Sequence, residues 1–288
     1  MLLFVAGATP FLMGIIYTTF LSASDVHVVA CLVVGAVVLV IFAVWEHLGP
    51  KHGLIKHPLT PTHLFTRGRG RDLTAPCIAV AIINMFYYSS SILYPTMIQV
   101  YWNSAGSWKT ASALSIVQGC AIAGGVVFLS LFGSKIKRWN WQLTGYCTGM
   151  VLFGALLALG TPERKGMMIA FCFLSQFFYS PAIYLVMAVA QLGVEQKDLG
   201  LAGGLSGTTR FAGGAIATAV YTAVLTNTVK TWTAKLVPAA AIAAGLSVSD
   251  VPSLMQVVGT PALATNYSPQ IAAAVGGAVV KAYEKGIQ

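Results

Sequence analysis

Charge is what this sequence has least of. Of its 288 residues only 9% are Asp, Glu, Lys or Arg, where a soluble globular domain carries roughly a quarter, and 57% are hydrophobic. That ratio excludes a water-soluble domain and a disordered chain alike. The eight acids are Asp25, Glu46, Asp72, Glu163, Glu195, Asp198, Asp250 and Glu284, and the charge-free runs between them are long enough to cross a bilayer, which takes about 20 apolar residues per helix. Cysteine is scarce as well. The five thiols, Cys31, Cys77, Cys120, Cys147 and Cys172, are odd in number, lack CxxC spacing and lie in apolar runs, where a thiol behaves as a small hydrophobe rather than half of a disulfide or a metal ligand.

Other absences narrow the class further. No 10-residue alternating segments occur, which argues against a β-barrel. The five histidines, His27, His47, His52, His57 and His63, include no i, i+4 pair for zinc. No strand and following Lys-Ser/Thr accompany the glycines, so a phosphate loop has no support. No Ser, His and acid group at one membrane depth, so the chain is expected to be neither an enzyme nor a cofactor binder. The formal charge of +9 belongs to loops rather than to a nucleic-acid face, because basic residues collect on the cytoplasmic side of membrane proteins. No basic segment precedes Leu2, so the first apolar run reads as a span rather than a signal peptide.

What is present is an all-α membrane protein, a polytopic helical bundle of about seven transmembrane helices, with spans near residues 2–21, 26–45, 73–101, 110–133, 141–159, 166–193 and 199–229. Only the last contains a formal charge, Arg210. Pro95 and Pro181 sit inside the third and sixth spans, as kink formers do. Lys51, Lys56, Arg67, Arg69, Arg71, Lys135, Lys137, Arg138 and Lys197 fall on one side, and only Lys109, Arg164 and Lys165 in the short loops opposite, so the first side is expected to be cytoplasmic. The patches 238–246 and 271–280 are too short to span and are expected to be interfacial or loop helices.

The run Val44-Trp45-Glu46, the basic loop ending Pro61-Thr62-His63-Leu64-Phe65-Thr66-Arg67, and Asn84-Met85-Phe86-Tyr87-Tyr88-Ser89 leading to Tyr94-Pro95 and Gln99 resemble the fungal major facilitator transporters of fourteen helices, drug:proton antiporters, and within them the trichothecene efflux pump branch. The stretch from Gly200 through Arg210 to Ile216, with Leu236-Val237-Pro238 beyond it, resembles the penultimate helix and outer loop of that branch. The resemblance implies a partial major facilitator fold equivalent to helices seven to thirteen. Residues 1–45 would be two linker-type helices, 46–72 a basic cytoplasmic loop, 73–229 a five-helix carboxy-terminal bundle, and 230–288 an extracellular loop leading toward a last helix. It further implies proton-coupled efflux of toxins, drugs or secondary metabolites by alternating access, in the plasma membrane or alternatively the vacuolar one. The partners implied are the lipid bilayer, a small-molecule substrate and a proton. Siderophore import and a non-transporting remnant are the alternatives.

Polar side chains on one helical stripe mark either a substrate cavity or helix-to-helix hydrogen bonding. Asn84, Tyr88, Ser91 and Gln99 form such a stripe on the third span, and Gln176, Ser180, Tyr184 and Gln191 on the sixth, with Tyr179 beside it. Asn84, Tyr88, Gln99, Gln118, Gln176, Tyr179, Tyr184 and Arg210 are therefore the candidate substrate-binding residues. Arg210 shares a stripe with Gly203, Gly207, Gly214, Thr218 and Tyr221, which places it on a close-packing inner face. Gly145-xxx-Gly149 and Gly203-xxx-Gly207 are expected to be sites of close helix approach.

Overall fold

The structure is a computed structural model that describes residues 2–17, 25–49, 64–65, 68, 71–102, 107–260 and 262–287. The helices are α1 (Leu2–Tyr17), α2 (Val26–Leu48), α3 (Thr74–Met97, continued by a π-helical turn Ile98–Trp102), α4 (Trp108–Phe132), α5 (Trp139–Leu156), α6 (Lys165–Leu192), α7 (Leu199–Ala243), α8 (Val251–Val257), α9 (Ala262–Asn266) and α10 (Pro269–Ile287). Among the described residues, five stretches are long and apolar enough to cross a membrane: Val26–Leu48, Thr74–Trp102, Trp108–Phe132, Trp139–Leu159 and Pro162–Leu192. The first expected span is described over 16 residues. The seventh belongs to the 45-residue α7, whose polar residues and Arg210 dilute its hydropathy. Most basic residues of the expected cytoplasmic loop, Lys51, Lys56, Arg67 and Arg69, lie outside the described residues.

Two boundaries differ from expectation. Helix α2 runs on to Leu48, so Glu46, expected in a loop, is in its last turn and buried. Patch 238–246 is for the most part the end of α7, which at 1.5 Å per residue is about 68 Å long, more than twice a ~30 Å hydrocarbon core. Patch 271–280 lies inside α10, which returns along α7 so closely that a Cβ on Gly286 would stand 2.8 Å from Val229 Cγ2. Val237, Ala241, Leu254, Val275 and Ala278 bury a small core there. An interfacial helix needs lipid to cover its apolar face; here a second helix covers it.

Glycine sets how near the helices come. A Cβ on Gly35 of α2 would stand 2.6 Å from Phe11 Cβ of α1, so these two helices touch backbone to side-chain base. Gly125 of α4 lies against Phe177 O of α6, the carbonyl that Pro181, having no N–H, leaves without its helical donor. Gly213 of α7 faces Ala81 of α3, where a Cβ would come 2.8 Å from the Ala81 carbonyl oxygen. The two GxxxG pairs are only half used. Gly149 meets the Phe178 ring and Gly203 meets Gln191, while a Cβ on Gly145 or Gly207 would meet nothing within 4 Å.

The bundle's ends are tied by polar contacts outside the apolar core. Gln142 Nε2 donates to Gly133 O and Ile136 O, closing the α4–α5 turn. Trp102 Nε1 donates to Pro162 O at 3.2 Å, joining α3 to the segment before α6. Asp25 caps α2 by accepting from His27 N at 2.9 Å; that bond, then the His27 ring, holds its carboxyl below the usual carboxylate range. Between the ends, Val80, Ile83, Tyr146, Met150, Tyr179, Ala182, Ile183 and Val186 form the core shared by α3, α5 and α6.

Candidate functional site

Three helices bring polar groups to one point inside this apolar bundle. Asn84 of α3 is 2% exposed, and its Nδ2 donates to the backbone oxygen of Arg210 on α7 at 2.7 Å. Its Oδ1 accepts from the Tyr179 hydroxyl of α6 at 2.9 Å and from Arg210 Nε at 3.3 Å. A second guanidinium nitrogen of Arg210 donates to the Tyr179 oxygen at 3.2 Å. These partners fix the Asn84 amide one way round: reversed, it would set an N–H against the donating Nε and an oxygen against a carbonyl.

Gly214 makes the junction possible. A Cβ there would stand 2.9 Å from Asn84 Nδ2 and would strike the Tyr88 ring, so the absent side chain is the gap through which Asn84 reaches the α7 backbone. Tyr87 stacks on Tyr179 with centroids 4.7 Å apart and planes 22° from parallel, and Tyr88 meets Tyr87 edge-on at 5.3 Å. Such pairs contribute about 0.5 to 1.5 kcal/mol beyond their buried area. The cluster therefore has one polar point and an aromatic wall.

The other candidate residues fall elsewhere. Tyr88 flanks the cluster, half-buried against Gly214. Gln176 is fully buried and donates through Nε2 to Ser90 Oγ; its Oε1 and Ser180 Oγ are buried without a hydrogen-bond partner among the described residues. Gln118 is half-buried on the inner stripe of α4, with Nε2 unpaired and shielded. Tyr184 is 45% exposed, turned off the buried face of α6. Gln99 is exposed in the π-helical turn at the end of α3, away from the cluster. Thus Asn84, Tyr179 and Arg210 come together with Tyr88 beside them, Gln176 forms a second buried polar contact, Tyr184 stands near Tyr179 on a more exposed face of α6, and Gln99 lies in the turn beyond the end of α3.

Sequence reasoning placed Gly214 on the close-packing stripe of Arg210 but missed Tyr87 and Gly213 as site-building residues. Gly213-Gly214 follows Arg210 by one turn, and a glycine pair opposite an Asn-bearing helix is the signal that was there to be read. Two apolar hollows lie apart from the cluster. One of about 580 Å³, between α4 and α6, is lined by Ala113, Ile116, Val117, Cys120, Phe173 and their neighbours; the other, about 250 Å³, lies between α7 and α10. The first has no polar side chain to orient a ligand, and a binding site needs a few. Among the described residues no group of three His, Cys, Asp or Glu could hold a metal.

The described residues thus form a multi-helix membrane bundle with an intramembrane arginine held by an amide and a phenol. The chain belongs to the family described as the fungal trichothecene efflux pump (TRI12), which matches residues 1–286. It is 52% identical over 287 residues to the MFS-type transporter prx5 of Penicillium rubens, a match covering 99% of this chain and 52% of the relative. The chain thus spans about half the length of that curated relative. No solved structure matches it.

Proposed function

We propose that this chain forms one half of a proton-coupled exporter of toxins, drugs or secondary metabolites, working by alternating access in the plasma membrane with the Lys135–Arg138 side cytoplasmic. Family membership supports the direction of transport. The observation that carries the site is the convergence of Asn84, Tyr179 and Arg210 from three helices. An arginine near mid-helix costs about 2.5 to 3.5 kcal/mol on insertion scales and faces a bundle interior or a watery cavity when it is retained. Here the interior supplies only neutral partners, which leaves the guanidinium available to a ligand. In alternating access a midplane site is exposed to each side in turn as two bundles rock, and a cluster built on α3, α6 and α7 travels as a unit with this half. Asn84, Tyr88, Tyr179 and Arg210 are the substrate-facing residues of this reading, with Gln176 supporting α3 from behind.

The test is drug retention in cells. Cells expressing the whole transporter that contains this half should retain less of an added apolar drug than cells without it. Arg210→Lys, which keeps the charge and loses the planar fork, should reach the membrane at normal abundance and restore retention. Near-normal export by Arg210→Lys would make Arg210 a structural residue, and no difference between expressing and control cells would remove the exporter reading.

A further inference from the structure

We propose that the Asn84–Tyr179–Arg210 cluster binds the carboxylate of an amphipathic organic acid, whose apolar ring system lies against Tyr87 and Tyr88. This names a substrate class for the site and rests on reading the cluster as the ligand-facing one. The warrant is an inventory of donors and acceptors. Arginine has five N–H donors and no acceptor; Nε and one terminal N–H are used on Asn84 and Tyr179, so three remain without a partner among the described residues. Asn84 Nδ2 has a second N–H beyond the one given to Arg210 O. On the acceptor side Asn84 Oδ1 already takes two bonds, and the Tyr179 oxygen, having donated its proton, takes one. Four N–H groups are thus left against a single lone pair. A cluster so composed rewards a ligand that brings acceptors and penalises one that brings donors.

Charge points the same way. The guanidinium is joined by no ion pair to a carboxylate among the described residues, and its hydrogen bonds all go to neutral groups. Its other contact is the Phe211 ring face, 5.9 Å from the guanidinium carbon. A positive charge inside an apolar bundle with only neutral company among the described residues is compensated best by an anion, and the planar guanidinium matches a carboxylate in two parallel bonds. The aromatic wall beside it, Tyr179 stacked on Tyr87 with Tyr88 edge-on, supplies a surface for a flat apolar body and carries no acid that would hold a cation. Organic amines, which present donors and positive charge, meet repulsion here. Neutral esters keep the acceptors but forgo the charge.

The experiment uses the 288-residue chain in lipid nanodiscs and three probes with one ring system: 2-naphthoate, methyl 2-naphthoate and 2-naphthylmethylamine. Binding is read by equilibrium dialysis against empty nanodiscs. Charge-assisted bonds are roughly twice as strong as neutral ones, so naphthoate should bind with a Kd about tenfold or more below that of the amine, the ester falling between. Arg210→Gln should erase the order of the three. Asn84→Asp, which places a carboxylate against the guanidinium from inside, should abolish naphthoate binding. If Arg210→Gln fails to assemble, Arg210→Lys keeps the question open to measurement: the order persists with a smaller spread. Equal or tighter binding of the amine, retention of the order in Arg210→Gln, or no naphthoate binding beyond empty discs would each overturn the proposal. Export of a neutral drug by a protein that fails here would leave the transport reading standing. Arg210-dependent naphthoate binding in a protein that moves nothing would do the reverse.

Discussion

Helix pair α1–α2 and helix pair α3–α7 close on glycine in the same way, yet they do opposite things with the space they save. In the first, Gly7, Gly14 and Gly35 admit Leu39, Leu32 and Phe11, and every group brought together is apolar. The outer surface of α2 is then a row of exposed Val29, Val33, Val37, Val40 and Val44, a surface made for lipid chains. In the second, Gly213 and Gly214 admit the Ala81 backbone and the side chains of Asn84 and Tyr88, and the saved space is filled by an amide that crosses to the Arg210 carbonyl. Small residues in a membrane helix therefore announce close approach but not its purpose. Purpose is decided by what stands opposite: leucine and phenylalanine make a lipid-facing hairpin, asparagine and tyrosine make a site.

The sharpest way to break this comparison is to fill both gaps. Gly35→Val and Gly214→Val each force a side chain into occupied space, and overpacking costs about 1 to 3 kcal/mol. Thermal unfolding of the purified chain should show both losses. Only Gly214→Val should also abolish Arg210-dependent ligand binding, because it displaces Asn84 and Tyr88. Gly207→Val, where a Cβ meets nothing within 4 Å, should leave binding and melting near wild type. If Gly35→Val abolished binding as fully as Gly214→Val, the two pairs would not be functionally separate.

A smaller effect is expected from Tyr179→Phe. The ring keeps its stack on Tyr87, while Asn84 Oδ1 loses a donor and Arg210 loses an acceptor. One hydrogen bond of this kind is worth about 0.5 to 1.5 kcal/mol, or 1.5 to 3 when a charged group takes part. Assembly should survive, with stability reduced by at most that amount and naphthoate affinity changed severalfold. A variant indistinguishable from wild type in both measurements would show that the hydroxyl is a bystander.

How much of this was legible beforehand follows from the periods involved. Span positions, the inward face of Arg210 and the polar stripe through Asn84 and Tyr88 come from composition and a 3.6-residue repeat, and the helices lie where those signals put them. Gln99 shared the Asn84 stripe on paper but sits beyond Pro95 in a π-helical turn, where the altered winding rotates it out of register. Tyr184 shared the Gln176 stripe, yet it is 45% exposed where Gln176 is fully buried, and which helices neighbour α6 is a tertiary fact. Tyr87 was invisible for the same reason: its role is a stack on a residue 92 positions away, between Tyr87 and Tyr179. The length of α7 escaped because the span was ended at residue 229, before Lys230 and Lys235, whereas the helix carries both lysines and Pro238 and continues to Ala243.

The smallest expected effect concerns Gln118, and its sign is the informative part. Its Nε2 is buried and unpaired, on the α4 stripe that includes buried Leu114, Ala121 and Gly125. A buried amide that forgoes a hydrogen bond pays a desolvation penalty of about 1 to 3 kcal/mol, and replacing it with an apolar group of similar shape is close to neutral or stabilising. Gln118→Leu should therefore leave the melting temperature unchanged or slightly raised, with naphthoate binding intact, because neither Asn84 nor Arg210 bonds to it. The substrate-facing alternative predicts otherwise. A Gln118 that meets the transported molecule would keep its stability on conversion to Leu and lose ligand affinity instead. A third outcome, clear destabilisation with binding retained, would mean that Nε2 holds a water between α4 and α6, in the manner of ordered waters that satisfy buried polar groups. Each result moves Gln118 to a different place in the comparison: with the apolar packing of α1–α2, with the polar junction of α3–α7, or between them.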